Sequence, residues 1–190
     1  MMIFYKYNKV NNKCRHYIFF FILFILINKI VKVWSKDFYI KDTDLKNLSD
    51  IINKNQYNNE LTLYFLDSYY DMTLVHFTID IPVQSNISFI GNKNGTVFDY
   101  KHDKRGRLIF NYSTNKGETV KMENIIFENF NSFGITFTEI LLVFATSDNF
   151  YFIINNCTFR NNENRIFRSE ITCEERSHSE PSIVFNNCNF

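Results

Sequence analysis

"INNCTFRNN" (residues 154–162) sets a cysteine between asparagines, with a phenylalanine two residues further on, and "FNNCNF" (185–190) nearly repeats it. The pair reads either as a reactive or metal-binding cysteine motif or as the visible part of a structural repeat. Two further copies decide for the repeat. Aligned on asparagine, "SNISF" (85–89), "ENIIF" (123–127), "NNCTF" (155–159) and "NNCNF" (186–190) share Asn, then Ile or Cys, then any residue, then Phe. Asn86, Asn124, Asn156 and Asn187 thus recur at nearly regular intervals. Those intervals fall within the range of about 20–50 residues that is the sequence sign of a solenoid or array.

The flanks sharpen the geometry. Apolar residues sit four and two positions before the last three asparagines: Val120 and Met122, Phe152 and Ile154, Ile183 and Phe185. After the asparagine they sit at one and three: Ile125 and Phe127, Cys157 and Phe159, Cys188 and Phe190. One continuous strand would keep even offsets, because side chains alternate with period two. The phase slips by one at the asparagine, so the chain bends there, and Asn is the non-glycine residue most at ease in the left-handed conformation of a tight bend. Two short strands meeting at an Asn corner once per turn describe a coil of a parallel β-helix. Stacked coils would align Asn86, Asn124, Asn156 and Asn187 as a ladder with side-chain amides bonded along the stack. Cys157 and Cys188 share a repeat position with Ile87 and Ile125, which makes it an interior apolar site where a thiol acts as a small hydrophobe. Stacked strands lie about 4.8 Å apart, beyond the roughly 3.8 Å Cβ separation a disulfide prefers, so two stacked free thiols are expected.

Composition agrees with strands. The chain of 190 residues, enough for one domain, has 22 Phe and 11 Tyr against a single alanine, Ala145. Few alanines with many aromatic and β-branched residues disfavour a helical bundle. With 21 basic and 20 acidic residues the formal net charge is +1, and nothing in the sequence resembles the basic face of a nucleic-acid binder.

The N-terminus reads as a targeting segment. Lys6, Lys9, Lys13 and Arg15 precede "YIFFFILFILI" (17–27), closed by Asn28 and Lys29. A basic region followed by an apolar run of about 7–15 residues is the pattern of a secretory signal helix; the run falls short of the roughly 20 residues that span a bilayer. Residues 1–35 are therefore read as a signal peptide cleaved near Ser35, or as an uncleaved signal anchor using 17–34. Cys14 precedes the apolar run and is set aside; Cys173 makes the mature cysteine count three, so one thiol stays free or pairs with another molecule. Export is matched by acceptor patterns for N-glycosylation at Asn47, Asn86, Asn94, Asn111 and Asn156. Asn94 and Asn111, in loop-like sequence, are the best candidates.

Residues 36–58 form a capping region and 59–190 the repeated strands. "KDTDLKNLSDIINKN" (41–55) carries Leu45, Leu48, Ile51 and Ile52 at helical spacing, with Asp42 or Thr43 able to cap its start and Asn53 to Asn55 ending it. Its apolar stripe can cover the open first coil. "ELTLYF" (60–65) and "VHFTIDIPV" (75–83) then alternate, the latter with Val75, Phe77, Ile79 and Ile81 on one face.

With "SNISFIGNKNGTVFDY" (85–100), "MENIIFENF" (122–130) and "NNCTFRNN" (155–162), residues 42–190 resemble the right-handed parallel β-helix proteins of the pectate-lyase-like superfamily, in particular the Asn- and Phe-rich secreted kind of anaerobic gut fungi. The resemblance implies an all-β solenoid and leaves activity open. Family members are typically longer, and a stop at Phe190 in mid-coil, with no obvious C-terminal cap, reads as a fragment or truncated member.

Pectin-active enzymes on this fold need acidic clusters and a basic residue near the scissile bond. No adjacent Asp pair, His-Gly or Arg-x-Lys occurs. The nearest candidates are Asp67 and Asp71 in "LDSYYD" (66–71), read as a polar turn, and Asp99, His102, Asp103 and Arg105 in "DYKHDKRGR" (99–107), read as a charged loop. "CEERSHSE" (173–180) holds Cys173, Glu174, Glu175, His178 and Glu180 without the second ligand pair zinc requires. "GNKNG" (91–95) is a turn. Tyr64, Tyr69, Tyr70, Tyr100 and Tyr112 could stack on sugar rings. The expectation is a non-catalytic extracellular or cell-surface protein with a structural, adhesive or scaffold-associated role. It needs no catalytic, metal or cofactor residues, and its partners are cell-wall polysaccharide or other extracellular proteins. A polysaccharide-active lyase or hydrolase is the alternative.

Overall fold

The computed structural model describes residues 35–56, 60–114, 116–131, 138–172 and 180–190. The targeting segment, Cys173 and His178 lie outside the described residues. Strand β1 (Lys36–Ile40) leads into a 3-10 helix (Asp42–Asn47) and helix α1 (Leu48–Asn55). Then the chain cycles through three sheets: β2 (Leu61–Phe65), β3 (Tyr69–Asp71) and β4 (Thr78–Val83); β5 (Ile87–Ile90), β6 (Thr96–Asp103) and β7 (Arg107–Tyr112). β8 (Thr119–Glu123), β9 (Ile125–Phe130) and β10 (Glu139–Ala145) follow, then β11 (Tyr151–Asn155), β12 (Thr158–Arg160), β13 (Arg165–Ile171) and β14 (Ile183–Asn186). The first sheet has the order β1-β2-β5-β8-β11-β14, the second β3-β6-β9-β12 and the third β4-β7-β10-β13. All described pairings are parallel, and from β2 onward each strand pairs with the one three places later.

In-register alternation sends one side-chain set of every sheet inward. Leu63, Phe89, Met122, Ile154 and Phe185 form one inner row, and Tyr70, Phe98, Phe127 and Phe159 another. Phe127 and Phe159 stack at 4.9 Å and 7°, and Phe159 and Phe190 at 5.3 Å and 7°, close to the ~4.8 Å strand spacing. Directly opposed side chains thus become continuous rows of apolar contact.

The corners between the first and second sheets are turned by Asn124, Asn156 and Asn187, with φ of 58°, 51° and 51°. Asn86 does not join them. Ile87 lies opposite Val120 and Phe89 opposite Met122, so Asn86 precedes a first-sheet strand, where its Oδ1 accepts from the Thr119 amide at 2.9 Å. The position equivalent to Asn124 is Gly91, since Ile90 opposes Glu123. The error has a physical origin: Asn-Ile-x-Phe fits the start of a strand in either sheet, because Ile and Phe face inward in both. With Gly91 in place of Asn86 the corners become almost evenly spaced, each interval differing from the next by a single position. A Cβ on Gly91 would lie 2.2 Å from the Asn124 carbonyl oxygen, which is why glycine stands there. The interior position of Cys157 and Cys188 is correspondingly shared with Ile125 and Thr96, not Ile87. The inter-coil amide bond runs from Asn186 Nδ2 to Asn155 Oδ1 at 3.0 Å, one residue ahead of the corner. A second corner row, Asn129 and Asn161 with φ of 58° and 54°, escaped the sequence reading; both follow the inward Phe by two.

Left-handed geometry at these corners gives a direct expectation. Asn156→Ala places an alanine where φ is positive and costs about 1 kcal/mol, while Asn156→Gly is near neutral; urea midpoints of the two variants against the parent measure the difference.

The 41–55 helix is shorter than its sequence pattern suggests. Residues 42–47 wind as 3-10 helix, preceded by Lys41, whose amide donates to Asp44 Oδ2 at 2.9 Å. Asp42 is drawn elsewhere, accepting from the Asp71 amide at 3.3 Å. Leu45, Leu48 and Ile52 are buried. The helix covers the open edge of β4, through Ser49 Oγ donating to the Asp80 carbonyl at 2.9 Å and Gln56 Nε2 to the Pro82 carbonyl at 2.6 Å. Pro82 sits on that edge strand, where a missing N–H is tolerated. β4 begins at Thr78, so Val75 is buried in the preceding turn, while Phe77 stays 44% exposed with Lys104 Nζ over its ring at 5.0 Å.

Candidate functional site

The second sheet turns its outward residues into two rows. Tyr69, Val97, Ile126 and Thr158 form one; Asp71, Asp99, Glu128 and Arg160 form the other. Three carboxylates from consecutive strands therefore line up beside an apolar row. The sequence places Asp71 and Asp99 in separate loops; one strand register joins them and adds Glu128 and Arg160.

Each carboxylate is bound to a donor. Asp71 Oδ2 pairs with Lys101 Nζ at 2.5 Å, and its Oδ1 accepts from the Thr73 hydroxyl at 2.6 Å and amide at 3.0 Å. Asp99 Oδ1 accepts from Asn129 Nδ2 and from the Lys101 amide, both at 2.8 Å, while its Oδ2 accepts from the Tyr69 hydroxyl at 2.8 Å. Glu128 pairs with Arg160 Nε at 2.5 Å. Burial is the largest influence on both aspartates and opposes their ionisation. For Asp71 it is outweighed by Lys101 and Thr73, and for Asp99 by Asn129, the Lys101 amide and Tyr69, so both carboxyls lie below the ordinary aspartate value. Desolvation of its hydroxyl, then the bond to Asp99, raises Tyr69 well above its usual value, although the residue as a whole is 42% exposed.

These shifts fix a pH dependence. A depressed folded-state value means the folded state binds fewer protons than the unfolded chain, so the stabilisation is present above the unfolded value and lost as pH falls through the folded one. Urea midpoints should fall progressively as pH drops below the ordinary aspartate value of about 4, and Asp99→Asn should flatten that profile. An identical profile in the variant would remove Asp99 from the account.

The other candidates disperse. Asp67 is exposed and accepts from the Asp42 amide at 2.8 Å. His102 is exposed on the bulge of β6, where it and Lys101 have φ of 58° and 46°. Asp103 pairs locally with Arg105 at 2.9 Å. Tyr70, Tyr100 and Tyr112 point inward and are buried; Tyr70 donates to the Ile40 carbonyl at 2.6 Å and Tyr112 to the Tyr151 carbonyl at 2.9 Å. Tyr69 and Tyr64 face outward, as does the overlooked Tyr39, which is 62% exposed and stacks on Tyr64 at 5.4 Å. Strict alternation would have separated Tyr69 from Tyr70. Cys157 is buried and Cys188 half-buried, both as free thiols, and burial pushes the Cys157 thiol up to about 12. Glu180 is exposed, the rest of "CEERSHS" lying outside the described residues. Asn94 is exposed on a turn, but Asn111 lies within β7, paired with Pro82 on one side and Phe144 on the other. Asn-Tyr-Ser resembles a loop in sequence because Tyr112 ends that strand.

Among the described residues no group of three or more His, Cys, Asp and Glu could hold a metal ion, and no helix is long and apolar enough to cross a membrane. No family model matches the chain, and no curated protein or solved structure matches it.

Proposed function

We propose that the chain is a right-handed parallel β-helix of the pectate-lyase-like kind, working outside the cell or at its surface as a non-catalytic structural, adhesive or scaffold-associated module. One observation carries the non-catalytic reading: Asp71, Asp99 and Glu128 are each committed to a fixed donor or cation. An acid–base pair needs two titratable groups whose environments push their pKa values apart. Here Asp71 and Asp99 are pushed the same way. What this face offers instead is a fixed charge row beside Tyr69, Val97 and Ile126, suited to cell-wall polysaccharide or to another extracellular protein.

The alternative, a polysaccharide-active lyase or hydrolase, is favoured by the closeness of three carboxylates and Lys101 on one face. Incubation with pectins and xylans, with and without calcium, separates the two. The expected outcome is no new reducing or unsaturated ends; release of oligosaccharides, lost in Asp99→Asn, would overturn the first reading. Export is tested independently by N-terminal sequencing of the exported protein from medium and cell surface, with a start near Lys36 expected for a cleaved signal and an intact Met1 for the anchor.

A further inference from the structure

At the first-to-second sheet corner, a single asparagine suffices in the later circuits, but residues 91–95 make an excursion there. The excursion is anchored: the Gly95 amide donates to the Asn92 carbonyl at 2.8 Å, the Asn92 amide to Thr96 Oγ1 at 2.9 Å, and Asn92 Nδ2 to the Asp67 carbonyl at 3.1 Å. It walls an open groove of about 500 Å³. Its lining brings together Asn124, Asn156, Ile126 and Thr158 with Glu123, Lys93 and Asn94. Asn94 is exposed and begins Asn-Gly-Thr.

We propose that this groove seats the first sugar of an N-linked glycan carried by Asn94, a reading that rests on the export proposed above. In the attachment step Asn94 Nδ2 displaces the pyrophosphate of a lipid-pyrophosphate-linked oligosaccharide from C1 of its first N-acetylglucosamine, forming the N–C bond and losing one amide proton. The chemistry of the groove matches that sugar. The amides of Asn124 and Asn156 and the Thr158 hydroxyl supply donors and acceptors for ring hydroxyls and the acetamido group, and Ile126 offers an apolar contact for the acetyl methyl. Because the turn is held at both ends, an attached sugar leaves in a fixed direction instead of sweeping solvent. Thr96 is fully buried, its hydroxyl engaged with the Asn92 amide and the Asp67 carbonyl. The threonine of the acceptor pattern is thus inaccessible once the turn forms, so attachment precedes folding of this circuit.

The test uses the full chain secreted from a glycosylating eukaryotic host, with peptide mass spectrometry of each acceptor and methyl NMR of isotope-labelled protein. Expected are an N-acetylhexosamine on Asn94, an Overhauser contact between the acetyl methyl and the Ile126 methyl, and a shift of the Ile126 methyl resonance in Asn94→Gln. Sugar on Asn47 or Asn86 but none on Asn94 would overturn this inference alone. A modified Asn94 with no contact to Ile126 would overturn the seat. Secreted protein with no sugar on any acceptor also overturns this inference, leaving export standing. A chain found neither in the medium nor at the cell surface sinks the export reading and this one with it.

Discussion

Arg107→Ala is expected to cost about 3–5 kcal/mol, a large share of the ~5–15 kcal/mol that holds a typical domain together. Arg107 opens β7 and Glu139 opens β10, and the two form an ion pair at 2.5 Å with side chains only 10% and 1% exposed. Arg107 Nε also donates to the Glu139 backbone carbonyl at 2.8 Å. The other carboxylate oxygen, Glu139 Oε2, is buried without a partner, as is the neighbouring Thr138 hydroxyl. Arg107 is therefore what makes a buried carboxylate tolerable, and its removal leaves an uncompensated charge in a low-dielectric site. The double variant Arg107→Met with Glu139→Leu removes charge and counter-charge together and should recover most of the loss, since a well-packed apolar pair often replaces a buried ion pair at little cost. Guanidinium-chloride midpoints of both single variants and the double read this directly. A loss under about 1 kcal/mol for Arg107→Ala, the range of an exposed pair, would mean that water reaches Glu139.

Phe127→Ala should cost a similar amount, about 3–5 kcal/mol. Its ring is fully buried, stacks on Phe159 at 4.9 Å and meets Phe98 edge-on at 5.7 Å. Backbone pairing on both sides fixes the distance between neighbouring strands, so the row cannot collapse into the vacated space. That is the condition under which truncation leaves a full cavity. Phe190 stacks in the same row but is 75% exposed, and Phe190→Ala is expected to be mild. Equal losses at the two positions would show that ring contact, not enclosure, sets the cost. Circular dichroism with urea titration distinguishes the outcomes.

The phase slip at Asn124 and Asn156 was enough to place a bend between two strands, and the bend is there. Its extension to Asn86 failed because a local motif cannot say which sheet it serves; only the first interval, the longest of the three, hinted at the error. The carboxylate row was hidden for a related reason. Asp71, Asp99, Glu128 and Arg160 stand 28, 29 and 32 residues apart, close to one circuit, but they share no flanking motif that would assign them to one sheet. Arg107 and Glu139 lie one repeat apart, at the same interval as Asn124 and Asn156, and could have been paired from the period alone. The short 3-10 segment at 42–47 follows from tertiary anchoring of Asp42, which helical periodicity does not report.

The pairing of each strand with the one three places later also bears on how the chain finds its fold. Every described strand pairing closes a loop of about one circuit, so the entropic charge for adding a strand hardly changes along the chain, because loop-closure cost varies only with the logarithm of length. None of these pairings waits for distant ends of the chain to meet. Growth can start at any two neighbouring circuits and proceed by zippering toward both ends, so a lesion in one circuit should stall propagation there without erasing the structure already built beside it.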